Sequence, residues 1–264
     1  MAISQLSHSV CVNCSKNLFT VTDGSTGLVS APVTAETFTI TYPSNDSVTL
    51  DLFANNDTLF GNSLSSSPLG CTSVSVIFDV ANSSDYNLYV IYTDSNGDLA
   101  VQSVTFPSDG SATADEIGAG VVAAVSANGV TSSYASGVIT FSGSGFSIVA
   151  VNNSTTNILI SSVTAETITD GKYILTWSLT DDDSTYTSTI ESYFLCNVEC
   201  CVRGKMSAID VSCDCVGDKK TEAAIEAMLM LEGIKAAAAC GKDAKADKLL
   251  EGLQAICNND CKSC

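Results

Sequence analysis

Tyr173-Ile174-Leu175-Thr176-Trp177-Ser178-Leu179 places a bulky apolar side chain at every second position. A period of two puts Tyr173, Leu175, Trp177 and Leu179 on one face of a strand and Ile174, Thr176 and Ser178 on the other. Asp170-Gly171 turns the chain into this strand, and Asp181-Asp182-Asp183 turns it out toward a partner running from Tyr186 to Leu195. The same alternation occurs far upstream. Thr37 to Tyr42 and Val48 to Leu52 read as a hairpin around Pro43-Ser44-Asn45-Asp46. Together the two hairpins predict a mostly β fold with α, in which residues 36–70 and 158–195 form one split, Ig-like β-sandwich.

The interval 71–157 reads as an inserted β-rich module with one helix. Val74 to Val80, Tyr86 to Thr93 and Leu99 to Phe106 have strand character, the last two joined at Asp94-Ser95-Asn96-Gly97-Asp98. Thr113-Ala114-Asp115-Glu116 is a capping-box sequence. Ile117, Val121, Ala124 and Val125 after it share one helical face, and Asn128-Gly129 supplies a stop. Val138 to Phe141 and Phe146 to Val151 read as two strands, with Gly143-Ser144-Gly145 as their hairpin turn. Residues 1–35 read as an irregular N-terminal arm, and residues 54–70, rich in Asn, Ser and Gly, as a loop.

Residues 196–264 differ in character. They hold nine of the twelve cysteines and nine of the eleven Lys and Arg residues. Asn197 to Ile209 reads as a helix. Asp218 caps a second that runs to about Cys240, and Asp243 caps a third after Gly241. The short break predicts an antiparallel helical hairpin, with Ala246, Leu249, Leu250, Leu253, Ile256 and Cys257 on one face. Leu249, Leu250, Leu253 and Ile256 are the candidate interaction residues.

Charge divides the chain in the same place. Residues 1–195 carry two bases against eighteen acids, net −16, whereas residues 196–264 are net −2, nine bases against eleven acids. Such a body repels nucleic acid and anionic membrane, so neither sequence-specific nucleic-acid binding nor membrane association is expected. A mean hydropathy of +0.25 supplies real cores. The N-terminal residues lack the basic and apolar regions of a secretory signal, which predicts synthesis in a reducing compartment.

Catalytic constellations are sparse. His8 is the single histidine and falls in the expected arm, which speaks against a multi-His metal centre and a Ser-His-Asp mechanism. Asp94, Asn96 and Asp98 have the first spacings of a calcium loop, but Leu99 and Thr105 stand where Gly and Glu are needed, so a hairpin turn is expected. No catalytic residue, no cofactor-binding residue and no enzymatic activity are expected. The cysteines leave three readings open: disulfides, free buried thiols, or a zinc site. Cys11-Val-Asn-Cys14 has half-site spacing, but no second CxxC of that type follows nearby, so a paired or idle thiol is expected there; Cys200, Cys201, Cys213, Cys215, Cys257, Cys261 and Cys264 are the candidate thiolates of a zinc site.

Two stretches resemble known families. Residues 86–151, with "TADEIGAGVVAAVSANG" followed by "VTSSYASGVITFSGSGFSIV", resemble a module recurrent in tail tube, sheath and other proteins of tailed phages. The segment from Leu195 through Cys200-Cys201 and Met206, then "AMLMLEGIKAAAACGKDAKADKLLEGLQAICNNDCKSC", looks like the Cys-rich tail of virion proteins from phages of Bacteroidota, including crAss-like phages. The resemblance implies a structural virion protein in the neck, head–tail connector ring or tail. It would be a homo-oligomer contacting portal, ring or tail proteins, assembled in the bacterial cytoplasm and ending in the virion. The alternative is a capsid decoration, head-fibre or adhesin-type surface-binding module.

Overall fold

The computed structural model describes residues 5–27, 32–153, 155–165, 170–182, 184–198, 202, 219–239 and 243–257. Strand residues far outnumber helical ones among the described residues, so the fold is mostly β with some α. In chain order the elements are β1 (His8–Asn13), β2 (Leu18–Asp23), β3 (Val33–Thr41), β4 (Ser47–Asp51), a 3-10 turn (Phe53–Asn55), β5 (Ser63–Ser66), β6 (Cys71–Ile77), β7 (Asp85–Thr93) and β8 (Leu99–Pro107). They continue with α1 (Ala114–Ala124), β9 (Thr131–Ala135), β10 (Val138–Asn152), β11 (Leu159–Ala165), β12 (Gly171–Asp181), β13 (Thr185–Phe194), α2 (Lys219–Ala239) and α3 (Asp243–Cys257). Two compact units result: a β body of residues 1–169 with 173–192, and a helical unit of residues 170–172 with 193–264.

The two alternating hairpins pair across the intervening sequence. A four-stranded sheet has the order β13-β12-β3-β4. β12 runs antiparallel to β3 with Thr176 opposite Thr39 and Trp177 opposite Phe38, and β3 pairs β4 with Thr39 opposite Thr49. The inward side chains Phe38, Ile40, Leu50, Leu175, Trp177 and Leu179 are all at most 1% exposed. Burying such a face stabilises the sheet by roughly 1.5–3 kcal/mol per large side chain.

The remaining nine strands form one continuous hydrogen-bonded system in which β10 is the shared member. Its first part, Val138–Ser142, lies between β9 and β6, with β11 beyond β6. Its second part, Ser147–Asn152, pairs with β7 on one side and β5 on the other, and β5 leads on to β2 and β1. The strands around this second part are covered on both faces. In β7, Leu88 and Val90 join a core with Ile117, Val121, Phe141 and Phe146, whereas Tyr89 lies near Glu36 and Asp57. Continuous burial from Tyr86 to Ile91 and from Phe146 to Val151 is the signature of strands packed on two sides.

Several expectations are corrected here. Residues 1–35 are not an irregular arm: β1 and β2 form a hairpin that extends the nine-stranded sheet through β5. Leu18, Phe19 and Val21 are buried there, and so drive it onto the body. The Asn/Ser-rich stretch 54–70 contains β5, whose Ser-rich backbone pairs on both sides although its side chains carry little apolar signal. Residues 71–157 are not a separable insertion, because β7 and β10 carry one side of each core, and the whole body is one compact unit. Residues 158–165, assigned by sequence to the split sandwich, form β11, which pairs with β6 of the larger sheet.

Gly143-Ser144-Gly145 is also not a hairpin turn. Val138–Asn152 is one strand, with a register shift between Ser142 and Phe146. Gly145 has φ +70°, which suits glycine, and a Cβ on Gly143 would come within 2.5 Å of the Gly129 carbonyl oxygen. A bulge bends the strand and lets it leave one set of partners for another. The capping box is present as expected, with the Thr113 hydroxyl accepting from Glu116 N–H and the Glu116 carboxylate accepting from Thr113 N–H. The helix ends at Ala124, before Asn128-Gly129.

Candidate functional site

Two carboxylates and a tyrosine are drawn together where the 3-10 turn meets β3, β7 and β12. Glu36 is 1% exposed although its carboxylate belongs to a residue type almost never buried alone. Thr58 hydroxyl donates to it at 2.6 Å, Leu59 N–H at 2.7 Å and Trp177 Nε1–H at 3.0 Å. Burial raises the Glu36 carboxyl above its ordinary value, and these donors act against that rise. Asp57 is close by. Burial, with the Glu36 and Asp85 charges adding to it, pushes its carboxyl up to about 8. Asp57 Oδ2 and the Tyr89 hydroxyl are buried and near one another without a hydrogen bond of good geometry. At neutral pH this cluster therefore holds a protonated acid. Its groups are spent on fixing the turn between strands, and Asn56, at φ +55°, donates from Nδ2 to Asp85 at 3.0 Å.

The sole histidine is placed where sequence reasoning did not look. On β1, His8 Nδ1 lies 2.9 Å from Ser188 Oγ on β13. Its ring meets Phe38 and Trp177 edge-on, at 6.1 and 6.4 Å between centroids. A Ser–His pair acts as nucleophile and base only with an orienting acid on the second nitrogen and room for a substrate. Nε2 is buried with no partner, and His8 is 6% exposed. Burial lowers its pKa, against weaker pulls from the Leu175 backbone and the Asp23 charge. The pair therefore joins β1 to β13 as a packed core contact. Only the apolar neighbours Leu6 and Val10 around His8 hinted at this in the sequence.

The cysteines separate by location. Cys14 is a disulfide cysteine, and so, in the helical unit, is Cys196; Cys11 is an exposed thiol and Cys71 a buried one. A disulfide sulfur is no thiolate ligand, so Cys11 and Cys14 match the expected paired and idle thiols and not half a zinc site. Cys71 donates to the Pro68 carbonyl at 3.0 Å, and burial pushes its thiol up to about 11, which makes it an inert core residue. Cys200, Cys201, Cys213, Cys215, Cys261 and Cys264 lie outside the described residues, and Cys257 ends α3. Among the described residues no three His, Cys, Asp or Glu side chains converge as a metal site. The Asp94 turn is closed by its own backbone: Asp94 Oδ1 accepts from Asn96 N–H at 2.8 Å and Asp98 N–H at 3.0 Å, which holds its pKa below the ordinary value.

In the helical unit, Asp170 accepts from the N–H groups of Asn197 and Val198 with its two carboxylate oxygens, capping the helix that starts at residue 196. Gln254 of α3 donates to the Asp170 carbonyl at 3.2 Å, and Tyr193 hydroxyl donates to Asp247 at 2.9 Å. Leu250 and Leu253 are buried with Ala227, Leu231, Ile234 and Ala246. They form the hairpin's own core, so as residues for docking on a neighbour they are corrected; Leu249 is half-buried beside them, and the Ile256 side chain is outside the described set. Among the described residues of this unit, the exposed large apolar side chains are Ile225, Met228 and Leu229 on α2, at i, i+3 and i+4. With Glu226, Met230 and Leu249 nearby, Ile225 and Leu229 line a groove of about 430 Å³. The spacing was legible in "AIEAMLMLE", but the stronger periodicity of α3 drew the assignment there.

No family model matches this chain, and no curated protein matches it. Among solved structures it is similar to the C-terminal domain of the Streptococcus pyogenes antigen I/II-family protein AspA, with 11% identity over 68% of this chain and 55% of that one. The TM-score is 0.14, and the likeness carries no argument about this chain.

Proposed function

We propose that the chain is a non-enzymatic structural component of a tailed-phage particle, in the neck, the head–tail connector ring or the tail, present in several copies. The observation that carries this reading is the pairing of two unlike units. A strongly acidic β body is joined to a nearly neutral helical hairpin that leaves an apolar ridge at Ile225, Met228 and Leu229 exposed. The sequence resemblance of the Cys-rich region supplies the particle. In this reading the hairpin docks on a portal, ring or tail subunit through that ridge, and the acidic body faces the DNA path, where like charge lowers friction with the phosphate backbone.

Mass spectrometry of gradient-purified particles tests it. The chain is expected at a fixed stoichiometry to the major capsid protein, and Leu229→Asp is expected to leave it unincorporated. Purified particles that lack the chain, while the lysate contains it, overturn the reading.

A further inference from the structure

Every sheet ends in edge strands, and unpaired edges template association unless something blunts them. In the β body most are blunted. β4, β9 and β1 are short, at five, five and six residues. β11 carries two register shifts. β8 packs against α1, and Gln102 ties it there, donating to the Ala124 carbonyl and accepting from Ser126 N–H at 2.8 Å each. β13 is different. It is ten residues long, TYTSTIESYF, with no proline, no lysine and one acid. Among the described residues no strand pairs with it on the side away from β12.

The ladder identifies which backbone groups face that open side. Thr180 and Thr185 hydroxyls meet at 3.0 Å and those of Thr176 and Thr189 at 3.1 Å, which fixes the register of β12 against β13. Asp181 N–H donates to Ser184 at 3.0 Å, so that pair is a bonded one. Bonded and non-bonded pairs alternate along an antiparallel ladder. Thr185, Thr187 and Thr189 therefore sit at non-bonded positions, and their N–H and C=O groups point away from β12.

We propose that β13 pairs antiparallel with β13 of a second copy of this chain, joining the two four-stranded sheets into one of eight strands. Self-pairing fits the chemistry of the edge. Centred on Ser188, it sets Thr187 of each copy against Thr189 of the other at bonded positions and continues the row Thr49–Thr39–Thr176–Thr189. Thr–Thr contacts of the kind seen at Thr39–Thr49, 2.9 Å, repeat across the junction. Glu191 then faces Thr185, so no two carboxylates oppose each other on a chain of net charge −18. A foreign strand would have no such matched row. The seven residues from Thr185 to Glu191 span about 24 Å at the strand rise. The inference is independent of the particle reading, because it concerns the purified chain alone.

Sedimentation equilibrium of the full chain over two decades of concentration tests it. The wild type is expected to move from one to two chain masses. Thr187→Pro removes one outward N–H without touching a bond to β12, and it is expected to hold the mass at one chain with unchanged Trp177 emission. Thr187→Lys, which any edge tolerates, is expected to do the same and keeps the test valid if the proline variant misfolds. Amide exchange gives a finer readout: Thr185, Thr187 and Thr189 gain protection with concentration, while Tyr186, Ser188 and Ile190 are protected throughout. A wild type that stays at one chain mass, or a folded Thr187→Lys that still doubles, overturns the proposal, whichever way the particle experiment falls.

Discussion

The β body and the helical unit bury different kinds of side chain. Of the seven aromatic side chains that are fully buried, Trp177, Tyr86, Tyr89, Phe38, Phe141 and Phe146 lie in the body and Phe194 in the helical unit. The described core of the helical unit is Ala227, Leu231, Ile234, Ala237, Ala246, Leu250 and Leu253 with Leu195, Val198 and Val202, and Tyr193 at its margin. An aromatic brings 150–250 Å² out of water, so the body is held by contacts distant in sequence. The hairpin buries smaller residues in a unit of the size that ordinarily needs staples, and Cys196 within it is disulfide-bonded. Both units keep apolar side chains at the surface, but they are arranged differently: Phe53, Ile77 and Val80 lie on separate turns and strand ends of the body, whereas Ile225, Met228 and Leu229 fall at i, i+3 and i+4 of one helix.

The sharpest way to break that contrast is to empty one core at a time. Trp177 is the only tryptophan and reports on the body, while ellipticity at helical wavelengths reports mainly on α2 and α3. Phe141→Ala, fully buried, is expected to lower the Trp177 transition by about 3–5 kcal/mol and leave the helical one in place. Leu253→Ala is expected to do the reverse, at about 2–5 kcal/mol. A denaturation in which both probes move together for both variants would mean that the two units fold as one.

A smaller effect is expected within the body. Gly143→Ala drives a methyl against the Gly129 carbonyl, and backbone cannot swing aside as a side chain can. The expected loss is about 1–3 kcal/mol in the Trp177 transition. Gly110→Ala, where a Cβ meets nothing within 4 Å, serves as the matched control with little change.

The gentlest perturbation is pH. The folded Asp57 carboxyl keeps its proton up to about 8, from an ordinary value of 3.8. Between those limits the unfolded chain binds fewer protons than the folded one, so body stability falls as pH rises through that window. The slope is at most about 1.4 kcal/mol per pH unit for one proton. His8 acts oppositely, because its lowered pKa withdraws stability as pH falls below about 6.5. The raised Glu36 carboxyl acts in the same direction as Asp57, so between pH 7 and pH 8 Asp57→Asn is expected to reduce the difference. An unchanged slope in that variant would remove Asp57 as its source.

Where side-chain periodicity was strong, the fold was legible. The alternation from Tyr173 to Leu179 and from Thr37 to Leu52 led to strands that do pair with each other, and Thr113 with Glu116 marked the start of α1. Illegible were elements whose burial comes from backbone pairing. β5 is Ser-Leu-Ser-Ser, and nothing in those residues announces a strand bonded on both sides. Gly143-Ser144-Gly145 carries the composition of a turn, and only its neighbours make it a bulge. The candidate site was hidden for a related reason. Glu36 and Asp57 look like surface acids until Trp177, 141 residues beyond Glu36, closes over the first of them.

The register of β3 against β12 also has a consequence for synthesis. The hairpin of β3 and β4 leaves the ribosome with Phe38, Ile40, Val48 and Leu50 all on one side, and its partner strand follows about 130 residues later. At typical elongation rates of 5–20 residues per second, the β3 edge that β12 will pair waits roughly 7–26 s for its partner. Slower translation after residue 52 therefore lengthens the exposure of a nascent hairpin to aggregation and chaperone capture, and codon choice over residues 52–170 becomes a lever on yield.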